Sequence, residues 1–118
     1  MKMTKDMTAF RAVAEARLNK IFAERHAAIL GPLYAVHARK AADAACVVAS
    51  DVSSLLLAPE AKRRGVSEKT LAAQVLIRAN RQSAILGLLE AERQDAQAEI
   101  AAAKSPAELD SILAVHGG

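Results

Sequence analysis

The sequence predicts an all-α protein, a bundle of four or five helices with one long helix and a short C-terminal one, and three observations predict it. Alanine makes up about a quarter of the chain, aromatics only 3%, and Pro and Gly are few, which is the composition of helical bundles. No stretch alternates Val, Ile, Thr and aromatics with polar residues, as strands would require. From Ser67 to Lys104, apolar residues recur at Ala72, Val75, Leu76, Ala79, Leu86, Leu89, Ala96 and Ile100, a single stripe at 3.6 residues per turn.

That long helix organises the rest. Ser67 is suited to N-cap it, and Ser105-Pro106-Ala107-Glu108 restarts the chain as a capping box with Pro at the first helical position. A helix of this extent exceeds the width of a domain of this size, so it should overhang or pair with something. With 118 residues, the chain suits a single helical domain over residues 1–118, with a modest core.

Helix one is predicted to start between about Thr4 and Thr8 and to run to Leu30, with Met3, Met7, Phe10, Ala14, Leu18, Ile21 and Ile29 near one face. Arg11 with Glu15 and Lys20 with Glu24 then lie on its solvated side. Gly31-Pro32 ends it, and proline can open the next helix. Helix two runs from about Pro32 to Ala49 with Leu33, Val36, Ala41, Ala44, Ala45, Val47 and Val48 as its apolar residues. A short helix from Val52 or Ser54 to Arg64 carries Leu55-Leu56-Leu57, and Pro59 is either an early-turn residue or a kink. Gly65 is suited to cap it, with Val66 placed for the hydrophobic contact of a Schellman motif. Leu109, Ile112 and Leu113 line the terminal helix, Pro106 to about Val115, and Gly117-Gly118 should fray.

Charge is unevenly spread. The net charge is +3, yet residues 61 to 81 carry six Lys/Arg against one Asp/Glu, and residues 82 to 118 carry two against six. A single cysteine, Cys46, excludes an internal disulfide and a Cys-rich zinc framework, and fits a reducing compartment. The N-terminus lacks the apolar core of a secretory signal, and no segment reaches a membrane-spanning length, so a soluble, non-secreted protein is expected.

Candidate chemistry is sparse. His37, Asp43 and Cys46 are the nearest approach to a metal set, and only Asp43 and Cys46 share a helical face. No nucleophile elbow, phosphate loop or dinucleotide fingerprint occurs, so no enzyme, no cofactor and no small-molecule substrate is expected. The basic residues Lys62, Arg63, Arg64 and Lys69 suit phosphate contacts in a DNA-binding regulator. Three cations in a last helical turn also complement the helix dipole, and no aromatic platform lies near them for base stacking.

Within the long helix, Arg78 and Arg81 precede Glu92, Asp95 and Glu99, an order that opposes the helix dipole. An antiparallel partner, a second copy or another protein, would set each basic half beside an acidic half. Those five residues are the candidate partner contacts, with Leu55, Leu56 and Leu57 as either an exposed apolar patch or core. Gly87, in the middle of the helix, either permits a close crossing or is merely tolerated.

The chain also resembles small helical tail-associated proteins of tailed bacteriophages and prophages, encoded near tail-fibre genes. The similar stretches are Ala14-Glu15-Ala16-Arg17, Gly31-Pro32-Leu33-Tyr34, the Leu55 to Gly65 helix and Leu71-Ala72-Ala73-Gln74-Val75-Leu76. They continue through Leu89-Glu90-Ala91-Glu92-Arg93 and Ile100-Ala101-Ala102-Ala103 to Ser105-Pro106-Ala107-Glu108-Leu109. Where such proteins tend to show Tyr-x-x-Lys followed by an acidic residue, this chain has Tyr34, His37 and Lys40. The resemblance implies a virion or tail-assembly component that works through contacts, in the virion or in the host cytoplasm during assembly. The helix faces and complementary charge add the expectation of an oligomer that binds itself or tail proteins. A DNA-binding regulator and a small inhibitor of a host factor are the alternatives.

Overall fold

Helix-stop residues divide the chain into five helices in the computed structural model, which describes residues 2–117 and side chains from residue 7 onward. They are α1 (Lys2–Leu30), α2 (Tyr34–Ser50), α3 (Ala58–Arg64), α4 (Glu68–Ala102) and α5 (Pro106–Val115), with no strand among the described residues. The Met3 side chain and Gly118, both assigned places from the sequence, lie outside the described residues.

The breaks follow local chemistry. Gly31 takes φ +74°, a left-handed conformation that ends α1 without a Cβ clash. Pro32 does not begin α2 as expected: it and Leu33 form a turn, and the first carbonyl of the new helix is that of Leu33, accepting from His37 N–H at 3.0 Å. Pro59 occupies the first turn of α3, where its missing donor costs nothing. Gly65, at φ +70°, closes α3 as a Schellman motif, with Gly65 N–H on the Lys62 carbonyl and Val66 N–H on the Ala61 carbonyl. Val66 packs against the core cluster that contains Ala61, in keeping with the hydrophobic contact of that motif.

Both serine caps form. Ser67 Oγ accepts from Thr70 N–H at 3.1 Å to start α4, and Ser105 Oγ accepts from Glu108 N–H at 3.2 Å to start α5. The Glu108 carboxylate reaches back to Lys104 N–H, one residue before the cap, rather than to Ser105 N–H as a strict capping box requires.

The chain forms two compact units, residues 1–29 with 86–118, and residues 30–85. In the first, Met7, Ala14, Leu18 and Phe22 of α1 meet Leu89, Ala96 and Ile100 of α4 and Leu109 and Leu113 of α5. The aromatic in this core is Phe22, 3% exposed, whereas Phe10, expected there, is 46% exposed. Phe10 lies four residues before Ala14 but is rotated to the edge of the stripe set by Met7, Leu18 and Phe22. Arg11, assigned to the solvated side, donates from Nη2 to the Ala103 carbonyl at 2.6 Å and so satisfies the C-terminal end of α4.

In the second unit, Ala44 and Val47 of α2 pack on Leu57, Ala61, Leu71, Ala72 and Val75. Only part of the expected α2 face is core: Leu33, Val36 and Val48 are exposed. Ser54, buried, orders the turn before α3. Its Oγ donates to Asp43 at 2.8 Å and accepts from Leu56 and Leu57 N–H, while its own N–H donates to Glu68. That turn delays α3 to Ala58 and drives Leu57 into the core. No helix is long and apolar enough to cross a membrane among the described residues.

Candidate functional site

In the first unit, one carboxylate holds two other segments. Glu92 on α4 accepts from both terminal nitrogens of Arg25 on α1, at 2.8 and 3.1 Å, and meets His116 Nδ1, just past α5, at 2.7 Å. The Arg25 guanidinium lies 4.9 Å above the Phe22 ring, and the His116 imidazole is 5.7 Å from it. Bidentate geometry and the aromatic surface fix both partners. Arg25 first, then His116, hold the Glu92 carboxyl at about 2, well below 4.5. Glu92, offered from the sequence as a partner contact, therefore has an internal role in its own chain as a clasp.

The sign of the linkage follows. A carboxyl whose pKa is lowered on folding contributes stability in full above its unfolded value near 4.5, and that contribution is lost as pH falls toward 2. Glu92→Gln should cost about 1 kcal/mol at neutral pH, discounted for the partial exposure of the pair. Thermal unfolding between pH 6 and pH 2.5 should show a shallower acid loss in the variant than in the parent; identical slopes would remove the clasp as a source of stability.

The other assigned residues fall into three groups. Arg78, Arg81, Asp95 and Glu99 are exposed on α4. Leu55 is 96% exposed and Leu56 37%, whereas Leu57 is fully buried, so Leu57 leaves the candidate patch and joins the core. Lys62 and Arg63 are exposed in the last turn of α3, but Arg64 pairs with Glu60 at 2.9 Å and Lys69 with Asp51 at 3.4 Å. Local acids thus offset half of the cationic set offered for DNA.

Two cavities in the second unit gather polar side chains. Asp43 and Cys46 line one of about 590 Å³ with Arg39 and the 52–56 turn, which agrees with their shared helical face; His37 is not part of it. No three His, Cys, Asp or Glu residues converge as a metal set among the described residues. The other cavity, about 400 Å³, lies between α2 and α4, with Tyr34, His37 and Lys40 on one wall and Arg78 on the other. Sequence reasoning missed both this cavity and the Glu92 clasp. The spacing of Tyr34, His37 and Lys40 at three-residue steps was the available signal for the first. Nothing local could reveal a clasp between residues 67 positions apart.

Along α4, Ile77, Arg81, Ala84, Leu88, Ala91 and Asp95 follow one another at alternating three- and four-residue steps, and each is exposed. Ile77 is 52% and Leu88 74% exposed, and a Cβ at Gly87 would meet no neighbour in its own chain. On this seam Ala84, Leu88 and Ala91 are flanked by Arg81 on one side and Asp95 on the other, a pattern that suits contact with another helix. No protein-family model, curated protein or solved structure matches the chain.

Proposed function

We propose that this chain is a structural or assembly protein of a bacteriophage or prophage tail, acting through helix-to-helix contacts with a second copy of itself. The phage context rests on the resemblance of the stretches quoted above, from Ala14 to Leu109. The contact mode rests on one observation, the exposed seam of α4. When the Leu88 side chains of two antiparallel copies meet, Arg81 of each comes level with Asp95 of the other, because both lie seven residues from Leu88. The charge order that opposes the helix dipole is thereby compensated between copies. Arg78 lines the α2–α4 cavity, which leaves Arg81 as the basic contact on this seam.

Light scattering across concentration and salt tests the reading. The parent should form a dimer, Arg81→Glu should raise its dissociation constant about tenfold, and Arg81→Glu with Asp95→Arg should restore it. A parent that is monomeric at every concentration, or a double variant weaker than the single one, would discard self-association. Retention of duplex DNA at ~50 mM salt with release by ~200 mM would instead favour the DNA-binding regulator.

A further inference from the structure

The α2–α4 cavity of the second unit is lined by the small apolar side chains Ala38, Ala41, Val75 and Ala79 together with the cations Lys40 and Arg78. Its volume of about 400 Å³ falls within the range of small-molecule sites. The two cations are unequally engaged. Lys40 Nζ is 2.6 Å from Glu60, and Glu60 also pairs with Arg64. Lys40 is the main cause that holds the Glu60 carboxyl below its ordinary range, and the Arg78 charge adds to it from farther away. One carboxylate therefore answers three cations, and Arg78 has no ion pair among the described residues. The region keeps an excess of positive charge, and its unengaged member is a guanidinium, whose planar fork matches a carboxylate.

We propose that this cavity binds a small carboxylate carried on a short apolar stem, the stem over Ala38, Ala41 and Ala79 and the carboxylate on Arg78. The apolar lining selects the stem, because a bare phosphate would leave that surface wet and gain nothing from it. Tyr34 and His37 also line the cavity and bring further polar groups to it. This site is independent of the α4 seam and of any assembly role.

Titration with hexanoate, followed by amide chemical shifts of the full chain, tests it. Saturable shifts confined to residues around Ala38, Ala41 and Ala79 are expected, with hexan-1-ol and inorganic phosphate each binding at least about tenfold more weakly. Arg78→Met, at an exposed position, should weaken hexanoate about tenfold without moving the thermal midpoint, and Arg78→Lys should recover part of the loss. Ala38→Leu, which adds bulk at an exposed helical position lining the cavity, provides a second route and should abolish the shifts. Equal binding of hexan-1-ol, tighter binding of phosphate, or hexanoate affinity unchanged in both Arg78→Met and Ala38→Leu would each overturn the assignment.

Discussion

Leu57→Ala should lower the unfolding free energy by about 3 kcal/mol, whereas Leu55→Ala, two residues earlier, should change it by less than about 0.5 kcal/mol. Leu57 is fully buried against Ala44, Val47, Ala61, Leu71, Ala72 and Val75, so truncation removes its transfer free energy and leaves a cavity among atoms fixed on three helices. Leu55 is 96% exposed and has nothing to lose. The difference arises from the Ser54 turn. With Ser54 Oγ bonded to the N–H groups of Leu56 and Leu57 and anchored to Asp43, the three leucines step around the turn and only the last one points inward. Urea unfolding of the two variants measures the contrast, and equal costs would mean that the turn does not set the direction of the run.

The same run shows where sequence reasoning stops. Most helix ends were legible because each depends on residues within four positions of it: Gly31, Gly65, Ser67 and Ser105 act where their chemistry placed them. The sequence leaves Pro59 open between an early turn and a kink, however, and α2 and α3 begin later than expected, at Tyr34 and Ala58. The α4 core stripe was legible because a long helix averages over small errors of phase, and Ala72, Val75, Leu89, Ala96 and Ile100 are all buried. Single positions in shorter or alanine-rich stretches were not. Phe10 and Phe22 both fit a helical apolar face, but Phe22 is the one that joins the cluster with Leu89, Leu109 and Leu113, which periodicity within α1 does not contain. Leu33, Val36 and Val48 look apolar enough for a core, but Ala44 and Val47 suffice to cover the part of α2 that Leu57 and Leu71 reach. Glu92 was read as one surface acid among several because its two partners come from opposite ends of the chain.

Leu88→Asp should turn the proposed antiparallel dimer into a monomer over the whole micromolar range, an increase in dissociation constant of at least about a hundredfold. In the proposed antiparallel arrangement the two Leu88 side chains are mutual neighbours, so the substitution would remove two apolar contacts and place two carboxylates against each other. Loss of the apolar burial alone is worth about 1.5–3 kcal/mol per side chain, and repulsion between the buried charges adds to it. The monomer should be unharmed: Leu88 is 74% exposed in its own chain, and Asp in an exposed helical position costs about 0.7 kcal/mol at most. A drop in solution mass with helical content and urea midpoint nearly unchanged would place the interface at the middle of α4. Leu88→Lys distinguishes a general loss of apolar contact from a specific charge effect, since both variants should dissociate alone and an equimolar mixture of the two should recover association through opposite charges at the crossing point. A mixture that stays monomeric would keep Leu88 as a contact but reject the register in which Arg81 faces Asp95, because that register requires residue 88 of each copy to meet its counterpart.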